Sequence, residues 1–183
     1  AGDNVHLMML TGDERMKGID ESESFLPRLH SELGDDKVVV VKTAYQRKHL
    51  GHWHDSWVAT PRGREVRDYA QGWLLDELVQ KARTAPEGST VQSVTLVWAQ
   101  GIEDTSEGRA APYEKTFQAL TEQLSDEFGR DDIHYVIARL GLLSEPSKRH
   151  PEWDAVRTIQ EQLGDSLPKA CWIDTDDIVD KSK

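Results

Sequence analysis

Short apolar, β-branched runs alternate along this chain with longer segments of helical periodicity, and few architectures satisfy that alternation. The runs at 5–10, 38–41, 91–98, 133–138 and 170–174 have strand length and strand composition. The four consecutive valines at 38–41 read as a strand buried on both faces, the situation of a parallel sheet. Between the runs lie helical stripes. Phe25, Leu26, Leu29 and Leu33 predict a helix over 22–33, with Gly34 as its C-cap. Trp73, Leu74, Leu78 and Val79 predict one over 66–82. Phe117, Leu120 and Leu124 predict a third from Pro112 to about Phe128, proline being favoured in a first helical turn. A fourth is expected over 151–163. Residues 12–18, 43–63 and 99–110 read as polar loops. Strands separated by helices imply βαβ units, so the expected fold is α/β: a three-layer α/β/α sandwich around a mostly parallel five-stranded sheet.

At 183 residues the chain is expected to form a single domain, 1–183. Its 22 basic and 33 acidic residues leave a net charge of −11, which argues against nucleic acid, whose binders present a basic face. No apolar run approaches the roughly 20 residues of a membrane span. One cysteine, Cys171, excludes an intrachain disulfide and a multi-cysteine metal site. In parallel sheets ligands sit outside the carboxyl ends of the strands. Those ends are expected at 11–18, 43–57, 99–104, 139–144 and 174–177.

Several of these loops carry a resemblance. Gly12-Asp13-Glu14-Arg15-Met16-Lys17-Gly18 is similar to the Gly-Gln-Ser-Asn-Met-x-Gly segment of the SGNH-type carbohydrate esterases, the sialate O-acetylesterase and acetylxylan esterase group. Trp98-Ala99-Gln100-Gly101-Ile102-Glu103-Asp104 resembles that group's Trp-x-Gln-Gly-Glu-x-Asp. The loop His52-Trp53-His54-Asp55-Ser56-Trp57, the pair Arg139-Leu140, the helix bearing Trp153, Arg157 and Gln160, and the segment 172–177 resemble it too. Order and spacing carry the likeness from about Val5 to Asp177. It implies the SGNH-hydrolase-like (flavodoxin-like) version of the sandwich, carbohydrate or acetylated glycan as ligand, no cofactor and no metal. It favours a secreted or periplasmic setting. The residues it places around the site are Gly12, Asp13, Glu14, Arg15, Gln46, Arg47, Trp53, Gln100, Gly101, Ile102 and Asp104.

The departures from the family pattern bear on chemistry. A serine esterase needs an activated hydroxyl, and the position of that serine is Glu14. The neighbouring asparagine, which serves the oxyanion hole, is Arg15. The glycine pair that lends a backbone N–H to the same hole aligns with Gln46-Arg47. The glutamate of Gln-Gly-Glu is Ile102. The Asp-x-x-His that supplies the general base would fall beyond Lys183. The resemblance therefore implies a carbohydrate-esterase-like domain without serine-esterase chemistry, binding glycan or a partner protein. The alternative is a hydrolase of acetylated carbohydrate that uses a non-standard nucleophile or residues beyond Lys183.

The residues also admit plainer readings. Glu14 would ordinarily cap a helix or pair with Arg15 or Lys17. As an acid of an inverting glycosidase it would need a second carboxylate across a cleft, with Glu103, Asp104 and Asp174 available. His49, His52, His54 and Asp55 could ligate a metal, but their spacing matches no standard zinc pattern, and exposed loop histidines are expected. Trp98, Trp153 and Trp172 are expected in the core, whereas Trp53 and Trp57 stand equally for core filling or sugar stacking. Gln100 and Asp104 are expected to bond loop backbone. Cys171 is expected to be a small buried residue.

Overall fold

The computed structural model describes residues 3–23, 25–33, 37–58 and 71–178. Five strands, β1 (Asn4–Gly12), β2 (Lys37–Ala44), β3 (Thr90–Ala99), β4 (His134–Ala138) and β5 (Ala170–Ile173), form one sheet in the order β2-β1-β3-β4-β5. Every pairing is parallel. Helices α1 (Glu14–Lys17), α2 (Phe25–Leu33), α3 (Trp73–Thr84), α4 (Tyr113–Phe128) and α5 (Trp153–Ser166) occupy the crossovers.

The period-two alternation of strand side chains sorts the helices into layers. Leu7, Met9, Val41, Val94, Leu96, Trp98, Tyr135 and Ile137 point to one face. There they meet Leu74, Leu75 and Leu78 of α3, Phe117, Leu120 and Leu124 of α4, and Val156 and Leu163 of α5. Leu10, Val40, Val97 and Ala99 point to the other, where Met16 of α1 and Phe25 of α2 cover them. The core is thus asymmetric: three helices on one side, and a thinner layer over β1 and β2 on the other.

Several sequence expectations change in three dimensions. The valines at 38–40 are half-buried, because β2 is an edge strand with a partner on one side only among the described residues. The polar loop at 12–18 contains the short helix α1, nucleated by Asp13 as its N-cap. Helix α3 begins at Trp73, since Gly72 sits at φ +77°, outside helical geometry. Gly34 and the expected helical residues 66–70 lie outside the described residues. Cys171 is exposed: it stands on the thinly covered face, next to Ile173, which is 45% exposed. No helix among the described residues is long and apolar enough to cross a membrane.

Candidate functional site

The strand order reverses between β1 and β3, and sheets of this kind bind ligands where the carboxyl ends of two such strands meet. Gly12 makes that meeting close. It sits at φ +152°, and a Cβ there would lie 2.1 Å from the Ala99 carbonyl oxygen. Only glycine permits both the dihedral and the approach. The next amide, Asp13 N, donates to Ala99 O at 2.9 Å. The Asp13 carboxylate then accepts from Arg15 N (3.1 Å), Arg15 Nε (3.0 Å) and Arg15 Nη2 (3.1 Å). Asp13 is buried and its charge is met by its own neighbour two residues on. The cap and the ion pair expected of Glu14 therefore belong to Asp13. Glu14 is the exposed first residue of α1 and forms no ion pair among the described residues.

The loop after β2 meets the same strand ends. Tyr45 N donates to Gly12 O at 3.0 Å. Gln46 and Arg47 are exposed, and Arg47 holds φ +57°, a left-handed conformation that glycine adopts without strain. Gln100 Nε2 reaches across to Lys48 O at 3.1 Å and to Asp104 Oδ2 at 2.6 Å. Asp104 in turn accepts from Leu50 N with both oxygens, at 3.1 and 3.0 Å. Gln100 and Asp104 do bond backbone, but across to the β2 loop; they fasten the two loops together.

Burial dominates the electrostatics of this fastening. Asp104 is fully enclosed, and loss of solvent pushes its carboxyl up to about 7 against the opposing hydrogen bonds from Gln100 and Leu50. Burial, with His52, Arg109 and Lys48 nearby, takes His49 down to about 3; burial takes His52 down to about 4. The histidines at 49, 52 and 54 are buried, not exposed: the turn Leu50–His52 brings the His52 ring within 4.4 Å of that of His49, which in turn lies 4.2 Å from the ring of Trp57. They do not converge as ligands: among the described residues no three metal-binding side chains do. Trp53 and Trp57 are core residues as well. Trp53 is wholly buried, its ring 4.9 Å from Trp98 in edge contact, and it has no face to offer a sugar.

Beneath Gln100 lies a second polar layer, in which Gln160 is legible in the sequence only as part of the resemblance and Tyr113 not at all. Tyr113 Oη donates to Gln100 O (3.0 Å) and accepts from Trp98 Nε1 (3.1 Å). Gln160 donates Nε2 to Gln100 O at 2.8 Å and accepts Leu140 N at 2.8 Å. Gly101, at φ +145°, leaves room for Gln160, whose Nε2 would lie 2.9 Å from a Cβ there. Glu152 gathers the amides of Gly108, Arg109 and Ala110 at 2.8, 3.1 and 2.7 Å and so orders the rest of the β3 loop. Nothing in the sequence marked Tyr113 or Glu152.

The carboxylates considered for glycosidase chemistry are committed elsewhere. Asp174 and Asp176 accept from Arg139 Nη2 at 2.6 and 2.7 Å. Glu103 lies between Arg109 and Arg149, each at 3.7 Å. Asp104 is sealed below the loops. Half-buried Ile102 starts the turn Ile102–Thr105. The structure therefore brings Gly12, Asp13, Gln100, Gly101 and Asp104 together, all of them buried, where the carboxyl ends of β1 and β3 meet. Arg47 and Glu14 stand at the surface, and Trp53 is buried.

The architecture is shared with proteins of known structure. One, from Arabidopsis thaliana, superposes with a TM-score of 0.68 at 13% identity, covering 100% of this chain and 89% of that one. A carbohydrate acetylesterase from Xanthomonas citri superposes with a TM-score of 0.63 at 16% identity over 87% of this chain and 35% of that longer protein. At such identities the likeness is one of fold. Comparison with curated protein sequences returns no significant match. The family model described as carbohydrate esterase, sialic acid-specific acetylesterase matches residues 1–183. A parallel sheet ordered 2-1-3-4-5, a Gly12 turn pressed on the end of β3 and a sequence-wide family match lead to one assignment: the chain belongs to the sialic acid-specific acetylesterase family of carbohydrate esterases.

Proposed function

We propose that this protein is a carbohydrate-esterase-like domain that has given up serine-esterase chemistry and binds glycan at the carboxyl end of its sheet. The observation that carries the reading is Glu14. The residue after the Gly12-Asp13 turn, where the family resemblance places the nucleophilic serine, is an exposed carboxylate. It cannot add to an ester carbonyl as an activated hydroxyl does, and its charge would repel the oxyanion that forms. The surroundings agree. Arg15 is tied to Asp13, and the Gln46-Arg47 turn carries side chains where the family has a glycine pair. Nucleophile, base and oxyanion donors act as a unit in such enzymes, so restoring one member restores little.

The second reading, hydrolysis by a different hydroxyl, draws on Ser56. Its Oγ lies 2.8 Å from His54 Nδ1. The same nitrogen accepts the Ser56 backbone N–H at 3.1 Å, which is the geometry of a local turn and favours the first reading. The test is turnover of p-nitrophenyl acetate and of acetylated sugars by the wild type and by Glu14→Ser. Neither should exceed a heat-killed control. Robust wild-type turnover, abolished by a serine-directed organophosphate, refutes the proposal.

A further inference from the structure

The connection from β4 to α5 runs from Arg139 to Glu152, fourteen residues, where crossover loops of this kind usually need about 2–6. It is nevertheless anchored at both ends. Trp153 Nε1 donates to Gly141 O at 2.8 Å. His150 Nδ1 lies 2.7 Å from Thr105 Oγ1, and Glu152 N donates to Thr105 O at 2.9 Å. The last two bonds tie this loop to the one that carries Gln100 and Asp104. The loop encloses a cleft of about 290 Å³.

The lining of the cleft has two characters. Leu142, Leu143 and Trp153 provide apolar surface, while Ser144, Ser147 and Asp154 provide hydrogen-bonding groups. Leu142 and Leu143 are 56% and 36% exposed, two of the five exposed large hydrophobics among the described residues. A wholly apolar ligand would strip water from the hydroxyls and the carboxylate without replacing it. A pyranose ring satisfies both, with a C–H face for the leucines and tryptophan and hydroxyls for the serines and Asp154. Charge narrows the choice. No lysine or arginine lines the cleft, whereas Glu145 and Asp154 do, so an acidic sugar is disfavoured. The volume lies at the small end of ligand sites, about 300–1,000 Å³, which limits the occupant to one or two rings.

We propose that the β4–α5 loop is a subsite for a neutral pyranose unit of a glycan, beside the strand ends at Gly12 and Gln100. This inference rests on the glycan-binding reading above and deepens it by naming the sugar class and the loop that holds it. The test uses the full chain, ¹⁵N-labelled, titrated with methyl β-D-xylopyranoside and methyl β-D-galactopyranoside, with N-acetylneuraminic acid as the charged comparator. At least one neutral glycoside should shift the amides of 142–154 and the Trp153 indole N–H progressively, and N-acetylneuraminic acid should leave them in place. Leu142→Asp, at an exposed position, should weaken the response about tenfold or more. Ser147→Phe, which fills the cleft, should do the same by a different route. Shifts confined to 12–18 and 46–54 would overturn the subsite and leave the glycan-binding reading standing. No shift anywhere, with any of the three sugars, would overturn both. An equal response to N-acetylneuraminic acid, or a response undiminished in both variants, would overturn the subsite.

Discussion

Replacing Asp104 by asparagine removes a single titration from the most enclosed part of the molecule. The carboxylate is buried completely and holds Leu50 N and Gln100 Nε2. Burial raises it from 3.8 to about 7 in the folded state. A raised carboxyl binds its proton more tightly in the native than in the unfolded chain. Its contribution to stability is therefore complete below about pH 4 and is lost as the pH rises through about 7. Well inside that window each pH unit costs about 1.4 kcal/mol, and the slope halves at the folded value, so about 2 kcal/mol disappears between pH 5 and pH 7 and nearly 3 by about pH 8. Asparagine is nearly isosteric and does not titrate. Its Oδ1 can still accept Leu50 N, and its Nδ2 can meet Gln100 Oε1, a buried acceptor that otherwise has no partner, if the Gln100 amide turns over. The turn forfeits the bond to Lys48 O, at a cost of about 1 kcal/mol that is the same at every pH. The assay is urea unfolding of both proteins at pH 5, 6, 7 and 8. The titrations of His49 and His52 are common to both and cancel to first order in the difference. The stability of Asp104→Asn relative to wild type should rise by about 3 kcal/mol from pH 5 to pH 8. A difference that stays constant with pH, or that moves in favour of the wild type, refutes the argument that burial governs this carboxyl.

Three further outcomes follow from the geometry. Gly12→Ala places a Cβ 2.1 Å from the Ala99 carbonyl at φ +152° and should cost about 3 kcal/mol or more, read as a lowered thermal midpoint. Gln160→Leu leaves the buried Leu140 N without its acceptor and removes one of two donors from Gln100 O, so urea unfolding should show a loss of about 2 kcal/mol. Cys171 is exposed and should react with an aromatic disulfide reagent in the native protein without denaturant, while Cys171→Ser should change stability by no more than about 0.5 kcal/mol.

The sequence by itself determined the architecture. Strand length, valine content and helical stripes are local properties, and five apolar runs alternating with helices leave a parallel sheet as the simple way to bury them. It also shows that a carboxylate, Glu14, stands two residues after Gly12, because an identity needs no coordinates to be read. What only the tertiary structure decided was who touches whom. Cys171 departs from its expected burial, and Trp53, open to either reading, joins the core, for this reason. A cysteine in an apolar strand is exposed when its face has no helix over it, and a tryptophan in a polar loop is buried when the loop folds back onto β3. Asp104 and Gln100 hold a loop some fifty residues away, and no local pattern encodes a partner at that separation. The same holds for Tyr113 and Gln160, whose hydroxyl and amide are polar exceptions on apolar stripes. Periodicity reports which side of a helix faces inward. Which buried carbonyl a particular donor will find there depends on how the strands are ordered and how their ends meet, and those are properties of the assembled sheet.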